Sequence, residues 1–253
     1  MKIDQKKTVL IIAAVYGEIE PLLSKLSNMQ SFMIGRKKAF TGIISGQSVT
    51  IIQCGVGIIN AVHALTVAIE KIKVGLIINM GCAGAFEQSG LSIGDLGIAT
   101  QETYIHSGVE SLADSKRIDP LPFPLFNIND HDYYSNYPTS KYHTCQAFNI
   151  LKQAYSSQKV CVKKIPFITV STITANNLTV MSLYQKYNAG MENMEGAGIA
   201  HVAVQYDIPF LEIRAASNFT GERDKKKWRL NQALERSSEA VGIIIQQLDN
   251  KKY

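Results

Sequence analysis

The chain has 253 residues, of which 46% are hydrophobic and 19% are charged, as in an ordinary globular protein with a substantial core. Its net charge of +5 comes from short, scattered lysine and arginine clusters without interleaved aromatic residues, which argues against nucleic-acid binding. No apolar stretch approaches the roughly 18 residues of a membrane span, so we expect no membrane contact.

The cysteines and the amino-terminal segment bear on the compartment of the protein. The four cysteines, at positions 54, 82, 145 and 161, form no C-x-x-C pair and accompany no histidines at metal-ligand spacing. We therefore predict neither a metal nor a cofactor. The apolar run from Val9 to Val15 follows lysines, as in a signal peptide, but Glu18 and Glu20 stand where a cleavage site needs small residues. We interpret the run as a first strand and expect a cytoplasmic protein.

Near-continuous apolar runs recur along the chain and are typical of strands that are buried on both faces. In chain order they read TVLIIAAV, SVTIIQCGVG, GLIINMGCAG, PFITVST and IPFLEIRAAS. Segments whose apolar residues recur at helical spacing lie between or after these runs, at Ile58 to Ile72, Gly196 to Tyr206 and Trp228 to Leu248. Alternating strands and helices predict one α/β domain over residues 1–253, with a mostly parallel sheet flanked by helices.

One segment, residues 107–138, departs from this alternation. It carries four prolines, several Asp and Asn residues, and aromatic side chains such as Phe123, Tyr133 and Tyr137. An unstructured stretch of this length inside a compact domain is usually a functional loop. Disordered insertions are poor in aromatic residues. We therefore predict an insertion or lid at about 107–138.

Polar or glycine-rich motifs stand where the predicted strands end. Glu18 follows the first strand at the start of a helix, as a catalytic base or as an acid that favours a helix N-terminus. Glycine turns at 55–57 and 79–84 allow backbone N–H groups to approach a ligand. Glu195 precedes a helix of small residues and is suited to accept two hydrogen bonds from a ribose diol. The last strand ends in Ser217-Asn218, where ligands bind in open α/β sheets.

These motifs occur in a fixed order. Glu18 is followed by G-V-G at 55–57, N-x-G-x-A-G at 79–84, M-E at 194–195 and R-A-x-S-N at 214–218. The ordered set resembles the purine nucleoside phosphorylase and methylthioadenosine nucleosidase superfamily over nearly the full chain. The resemblance implies a nucleosidase in which Glu18 is the general base for water, Met194 and Glu195 bind ribose, and residue 218 acts on the purine leaving group.

Other residues near these motifs complete the predicted site. To base or substrate binding we assign Val56, Cys82, Ala83, Gly84, Asn193 and Thr220. Thr172 and Thr174 follow the strand PFITV and are suited either to hydrogen-bond the purine or to cap the next helix.

The sequence departs from adenine-specific nucleosidases at position 218, where Asn replaces the usual acid. Together with NMEG at 193–196, the pattern SN-x-x-G-x-R-D-x-x-x-W at 217–228 resembles futalosine hydrolase, which releases hypoxanthine from futalosine in an alternative menaquinone pathway. Adenine leaves well only when N7 gains a proton, which a protonated Asp can supply. Hypoxanthine spreads charge onto O6, and the Asn218 amide offers both a donor and an acceptor. The chemistry favours a 6-oxopurine, although a flipped amide can also bind adenine.

Three other functions remain as alternatives. A nucleosidase for methylthioadenosine and adenosylhomocysteine is disfavoured by Asn218. A purine nucleoside phosphorylase needs a cationic anion site, whereas Glu18 would repel phosphate. A non-catalytic nucleoside-binding protein is disfavoured because the base and the recognition residues occur together. Release of free purine distinguishes this last function from the enzymes.

We also predict contacts to the 5′ tail of the substrate and a second subunit. Futalosine carries a carboxylated aromatic tail, for which Tyr104, His106 and Arg223 are candidate contacts. Arg223 is equally suited to form a loop-closing salt bridge with Asp224. Related nucleosidases complete the 5′ pocket across a dimer, so the resemblance implies a homodimer with segment 107–138 near the partner's site.

Overall fold

A computed structural model describes residues 7–112 and 118–248. It confirms the α/β fold, with one large sheet between helices. Along the described chain the elements are β1 (Thr8–Ala13), α1 (Tyr16–Leu23), β2 (Ser27–Ile34), β3 (Lys37–Ile44), β4 (Gln47–Gln53), α2 (Ile58–Lys71), β5 (Val74–Ala85), β6 (Leu96–Tyr104), β7 (Val109–Glu110), β8 (Ile118–Asp119), β9 (Phe126–Ile128), β10 (His131–Tyr133), β11 (Asn136–Pro138), α3 (Lys141–Ala154), β12 (Val162–Thr169), α4 (Asn177–Tyr187), β13 (Met191–Asn193), α5 (Gly196–Gln205), β14 (Phe210–Phe219) and α6 (Leu230–Gln247).

The large sheet has the order β11-β6-β12-β13-β5-β1-β4-β3-β2, and β14 pairs with both β5 and β6. Strands β4, β1, β5 and β14 are parallel neighbours, so their carboxyl ends lie at one edge. Because β14 joins β5 to β6, the strands β5, β13, β12, β6 and β14 form a closed ring of paired strands. This ring has an interior face and an exterior face, and both contribute to the site described below.

Antiparallel pairs accompany the predicted parallel ones, so the sheet is mixed. At one end β2, β3 and β4 form two hairpins, which the sequence analysis does not predict. Their turns place Gly35-Arg36 and Ser45-Gly46 at positive φ (53°, 61°, 48° and 81°), as type I′ turns require. Short turns of this kind force neighbouring strands to run antiparallel.

The core lies on both faces of the parallel strands. In β1, Val9 and Ile11 pack in a buried cluster with side chains of α1, α3 and α6. The alternate residues Leu10 and Ile12 pack in a second cluster with α2 and α5. A strand that is covered on both faces needs apolar residues at every position, which explains the uninterrupted run in the sequence.

Segment 107–138 consists of short strands in its described parts, while residues 113–117 lie outside them. Strands β7 and β8 pair with each other, as do β9 and β10, and β11 adds to β6 at the edge of the large sheet. Phe126 stacks on Tyr133 with centroids 5.0 Å apart, and Tyr137 contacts His201 of α5. The segment is therefore anchored at α5, and its role as a lid stays a prediction.

The described residues, 7–112 and 118–248, bear on membrane and metal binding. They contain no helix long and apolar enough to cross a membrane. Within the same ranges, no three His, Cys, Asp or Glu side chains are grouped so as to hold a metal ion.

Candidate active site

The predicted site residues converge at the carboxyl edge of the parallel strands. Glu18 follows β1, Cys82 and Gly84 lie at the end of β5, and Asn218 lies at the end of β14. Glu195 immediately precedes α5 and accepts a hydrogen bond from the Gly57 N–H in the turn after β4 (2.9 Å). Four strand ends therefore bring together groups that are up to 200 positions apart in the chain.

Glu18 is the deepest of these groups, with 2% of its surface exposed. Its Oε2 accepts hydrogen bonds from the N–H groups of Ala14 (2.8 Å) and Val15 (3.0 Å), and its Oε1 accepts one from Cys82 (3.1 Å). A side chain on Gly81 would collide with Oε1, so the glycine is required for this approach. Burial raises the pKa of Glu18, while Arg214 and the backbone donors lower it less.

Arg214 bonds the predicted ribose-binding residue, Glu195, and lies close to Glu18 beside Gly81. This fully buried guanidinium donates from Nη2 to Glu195 (3.2 Å), from Nε to Glu212 (2.9 Å) and from Nη1 to the Cys82 carbonyl (3.3 Å). Burial alone would lower the pKa of Arg214, but the carboxylates of Glu212, Glu195 and Glu18 raise it. Arg214 is therefore a permanent cation that fixes the Glu195 carboxylate.

Behind Arg214 lies a buried carboxyl pair, Glu102 and Glu212. Glu212 Oε1 accepts from Arg214 and from the Asn79 side chain (2.8 Å). A side chain on Gly196 would collide with both carboxyl groups, which shows how closely they approach. Burial, together with the neighbouring Glu212 charge, raises the pKa of Glu102 well above its usual range. Oε2 of Glu212 is buried and has no hydrogen-bond donor among the described residues, and a proton held between the two carboxyl groups would supply one.

Asn193, which we assign to base binding, is engaged inside this cluster. Its Nδ2 donates to Glu102, and its Oδ1 accepts from the N–H groups of Glu195 (3.0 Å) and Gly196 (2.7 Å). Thr169 completes the arrangement by donating to Glu102 (2.8 Å). Asn193 therefore orients the start of α5, and its side chain reaches the site only through Glu195. We call the set Glu18, Glu102, Glu195, Glu212 and Arg214 the charged cluster.

A bulge determines where Asn218 points. Ala216 pairs with Ala83 and Asn218 pairs with Gly84, so Ser217 is an extra residue in β14. The Asn218 Nδ2 donates to the Phe219 carbonyl (2.8 Å), and its Oδ1 accepts from the Ser217 hydroxyl (2.7 Å). A carbonyl can only accept, so this contact fixes the orientation of the amide. One N–H and one lone pair of Asn218 remain for a ligand.

The other predicted base-side residues surround Gly84. Thr220 is buried, and its hydroxyl has no hydrogen-bond partner among the described residues. Thr174 donates from its N–H (3.1 Å) and its hydroxyl to Glu192, which the sequence analysis does not single out. Thr172 is exposed. Neither threonine caps α4, because Asn176 does so by accepting from the Thr179 N–H (2.8 Å).

The candidate tail contacts form two groups at the rim. The Tyr104 hydroxyl bonds the Ser171 hydroxyl (2.9 Å), and His106 Nδ1 accepts from the Ser171 N–H (3.0 Å). Burial lowers the pKa of His106, so its ring is neutral at pH 7. Arg223 stacks over Trp228, 5.3 Å from the ring centroid, instead of pairing with Asp224.

The remaining predicted residues offer the site mainly backbone groups or exposed side chains. Asp224 accepts from the Lys226 N–H and caps a short 3₁₀ helix, so it does not close the loop as the salt-bridge alternative requires. Val56 is half exposed, Ala83 is buried, and Met194 packs beside a buried cluster around Phe86.

The family model described as "Phosphorylase superfamily" matches residues 8–247. A 5′-methylthioadenosine/S-adenosylhomocysteine nucleosidase of Staphylococcus aureus is 26% identical over 248 residues, covering 94% of this chain and 99% of that protein. The solved Neisseria meningitidis nucleosidase of the same description, in complex with methylthio-immucillin-A, has a TM-score of 0.81 at 23% identity, covering 96% and 100% of the two chains. The native Helicobacter pylori futalosine hydrolase has a TM-score of 0.80 at 20% identity, covering 96% and 99%.

Proposed function

Because the chain belongs to the phosphorylase superfamily, we propose that it is a purine nucleosidase, which hydrolyses the N-glycosidic bond of a purine nucleoside. The observation that carries this proposal is the buried Glu18 carboxylate beside the Arg214–Glu195 ion pair. A base and a carboxylate for ribose stand together where ligands enter open α/β sheets. The full-length similarity to curated nucleosidases supports the same activity.

Water is the better nucleophile for this site than phosphate. A phosphorylase must hold a phosphate anion at the face of the sugar. The Arg214 guanidinium in this site already bonds Glu212, Glu195 and the Cys82 carbonyl, so it has little capacity for an anion. The Glu18 carboxylate would repel phosphate and is suited to accept a proton from water.

The proposed reaction uses the two carboxylates in different roles. Glu195 accepts hydrogen bonds from the ribose hydroxyls, held in place by Arg214 and by the Gly57 N–H. Glu18 takes a proton from water, and the water oxygen forms a bond to the anomeric carbon as the bond to the purine nitrogen breaks. The electron pair leaves with the purine, and the sugar passes through an oxocarbenium-like state that both carboxylates stabilise. Glu18 then releases its proton to solvent and the departed purine anion takes one from solvent, which balances the reaction.

For the substrate we favour a 6-oxopurine nucleoside, with futalosine as the best candidate. The specific observation is Asn218, whose free N–H can donate to O6 as negative charge develops there. Asn218 cannot give a proton to N7, as adenine departure requires. The Arg223 guanidinium at the rim suits the carboxylate of the futalosine tail.

Methylthioadenosine and adenosylhomocysteine are the second candidate substrates. The observation in their favour is the description of the Staphylococcus aureus relative, which names these two substrates. That relative is similar to this chain over nearly its whole length. Under this alternative Asn218 would only bind adenine, and another donor would have to protonate N7.

A homodimer is part of the proposal. Val56 and Ile59, at the turn and first residues of α2, are 52% and 83% exposed although both are apolar. They lie next to Gly57, which bonds Glu195, so a second copy on this face would also border the substrate site. Sedimentation at assay concentration tests this, and a fully active monomer would contradict it.

One experiment tests the proposed function. The protein is incubated without phosphate with futalosine, inosine, adenosine, methylthioadenosine and adenosylhomocysteine, and any free base is identified. We expect hypoxanthine from futalosine at the highest kcat/KM. A requirement for phosphate would contradict hydrolysis, and faster adenine release from methylthioadenosine would select the second candidate.

A further inference from the structure

A network of buried polar side chains connects all five strands of the ring. Its members are each at most 5% exposed and comprise Asn79 in β5, Glu102 in β6, Thr169 in β12, Asn193 in β13, and Glu212 and Arg214 in β14. Hydrogen bonds join these side chains to one another and to Glu195. A buried polar network is costly when a member lacks its partner, so the protonation of the central pair, Glu102 and Glu212, matters to every member.

The network holds Glu195 from two sides. The Glu195 carboxylate accepts from Arg214 Nη2 (3.2 Å), and Arg214 Nε donates to Glu212 Oε1 (2.9 Å). The Glu195 backbone N–H donates to Asn193 Oδ1 (3.0 Å), and Asn193 Nδ2 donates to Glu102 Oε1 (2.5 Å). One route therefore begins at Glu212 and the other at Glu102, and a hydrogen bond between these two carboxyl groups closes the routes into a loop around Glu195.

Glu102 Oε1 and Glu212 Oε2 are placed to share one proton. Both atoms lie within 2.5 Å of the position that a Cβ on Gly196 would take. Two ionised carboxylates this close would repel each other strongly, so one of them is protonated. Burial and the Glu212 charge raise the pKa of Glu102, whereas the rise that burial causes in the pKa of Glu212 is opposed by Arg214. The proton therefore resides on Glu102.

One atom, Glu102 Oε1, then has to accept and to donate. It accepts from Asn193 Nδ2 and donates its proton to Glu212 Oε2. The Asn193 amide cannot be reversed, because its Oδ1 accepts from the N–H groups of Glu195 and Gly196. The hydroxyl of a protonated carboxyl group can do both, whereas an amide nitrogen only donates and an amide oxygen only accepts. Glu102→Gln therefore breaks one of the two contacts, whichever way the new amide is oriented.

Glu212 has no atom with this double task. Its Oε1 accepts from Arg214 Nε and from the Asn79 amide (2.8 Å), and its Oε2 only accepts the proton. In Glu212→Gln the amide oxygen can keep the first two contacts, and the amide nitrogen can donate to an ionised Glu102. The pair is therefore asymmetric, because an amide can replace Glu212 in these contacts but cannot replace Glu102.

Resting on the proposed nucleosidase function, we propose that Glu102 is a positioning residue for ribose binding, which donates a shared proton to Glu212 and thereby aligns the Glu195 carboxylate with the sugar hydroxyls. It acts on the backbone of Glu195 through Asn193, and on the carboxylate through Glu212 and Arg214. Loss of the contact frees Glu195 to turn away from the sugar. The effect of Glu102 on turnover therefore follows the ribose hydroxyls and not the base.

The test measures hypoxanthine release from inosine and 2′-deoxyinosine, which carry the same base and differ in one sugar hydroxyl. Wild type, Glu102→Gln and Glu212→Gln are compared with the control Glu235→Gln, an exposed glutamate of α6 that should match the wild type. We expect kcat/KM for inosine to fall about 10- to 150-fold in Glu102→Gln, as for loss of a charged hydrogen bond, and several-fold less in Glu212→Gln. The fall for 2′-deoxyinosine in Glu102→Gln should be several-fold smaller than the fall for inosine.

A purely structural role for Glu102 would lower both nucleosides by the same factor. That result, or equal losses in Glu102→Gln and Glu212→Gln, would overturn the proposal.

The second readout is the infrared carbonyl band of protonated carboxyl groups at pH 7, recorded in H₂O and D₂O. We expect a deuterium-sensitive band in the wild type that is missing from Glu102→Gln and from Glu212→Gln, since neither variant needs the shared proton. Glu18 is common to all three proteins, so its own band cancels in the difference spectra. Because this readout needs no turnover, it separates failure of the inference from failure of the proposed function. Identical spectra of the wild type and either variant would refute the shared proton.

Discussion

The two halves of the candidate site are built differently. The charged cluster lies inside the fold, where Arg214 donates to Glu195 and Glu212, and backbone N–H groups hold Glu18. The base and tail half lies at strand ends and loops, where Thr220 has an unsatisfied hydroxyl and Arg223 and Thr172 are exposed. On that half, Asn218 and Glu192 are buried and fixed by neighbours, and Thr174, which donates to Glu192, is buried too.

This difference indicates a division of labour. Charges held in a buried, preorganised arrangement need little reorganisation when the sugar becomes cationic, which suits bond cleavage common to all purine nucleosides. Loops tolerate substitution better than the core does, which suits the choice of base and tail. We therefore expect substitutions in the charged cluster to affect all substrates alike, and substitutions in the base and tail half to change their relative rates.

The largest effect is expected at Glu18. Glu18→Gln keeps the shape, and its amide oxygen can still accept from the Ala14 and Val15 N–H groups, but the variant has no base, so kcat for base release should fall by roughly 10²–10⁴-fold. Rates and circular dichroism are measured together, with Glu20→Gln, an exposed residue of the same helix, as the control. Near-normal turnover in Glu18→Gln would show that water is activated elsewhere.

Glu18 also predicts a pH dependence. The base acts in its ionised form, and burial raises its pKa, so activity should decline as pH falls through a value above the roughly 4.3 of an ordinary glutamate. The acid limb of kcat/KM reports this group in the free enzyme. A limb at the ordinary glutamate value, or one that persists unchanged in Glu18→Gln, would contradict the assignment.

Next in size is the loss of the buried carboxylate behind Arg214. Glu212→Ala removes one of the two carboxylates bonded to the buried Arg214 and the partner of the Asn79 amide, which should lower the free energy of unfolding by about 3–5 kcal/mol. Urea unfolding measures the change. The matched control is Glu222→Ala, which breaks the solvent-exposed ion pair to Lys227 and should change stability little. Equal losses of unfolding free energy in the two variants would mean that the charged cluster stabilises the fold no more than a surface ion pair does.

The expected effect at Asn218 is smaller and depends on the substrate. Asn218→Ala should reduce hypoxanthine release from futalosine mainly through kcat, by roughly 2–4 kcal/mol of transition-state stabilisation, as for an oxyanion donor. Asn218→Asp should lose hypoxanthine release and gain relative rate for adenine nucleosides as pH falls, because the protonated acid can donate to N7. Either variant releasing hypoxanthine at the wild-type rate would leave Asn218 with a structural role only.

The smallest effect is expected at the rim. Arg223 is exposed, so Arg223→Gln should raise KM for futalosine only about 2- to 5-fold, with kcat unchanged and the effect weakened by salt. Inosine, which has no tail, is the control substrate and should be unaffected. An equal change with inosine would place Arg223 at the base or the ribose instead of the tail.

The sequence predicts the site where local pattern determines position. Glu18 and Asn218 each stand beside the end of an apolar run, and parallel strands bring such ends to one edge. Glu195 is marked instead by the helix of small residues that it precedes. The Glu102–Glu212 contact could not be predicted, because its partners are 110 positions apart and meet only when β14 joins β5 to β6. The sequence marks Glu212 only by placing a charged residue inside the apolar run FLEIRAAS.

Other features depend on tertiary contacts that no local pattern records. The Ser217 bulge is defined by the register of β14 against β5, and it determines the face on which Asn218 points. Glu192 lies in a three-residue strand whose pairing with Gly84 is antiparallel, which the expectation of a mostly parallel sheet does not include. Asn176 caps α4, and neither Thr172 nor Thr174 does, because the cap residue is set by where the chain turns into the helix.

The division of labour is tested most directly by one ratio, kcat/KM for hypoxanthine release from inosine over kcat/KM for adenine release from adenosine. It is measured in the wild type, Glu18→Gln and Asn218→Asp under identical conditions. We predict that Glu18→Gln lowers both rates and leaves the ratio unchanged, whereas Asn218→Asp lowers the ratio at least tenfold, about 1.4 kcal/mol of differential transition-state binding. A ratio that changes in Glu18→Gln, or that stays constant in Asn218→Asp, would contradict a site in which the charged cluster cleaves the bond and the base and tail half selects the substrate.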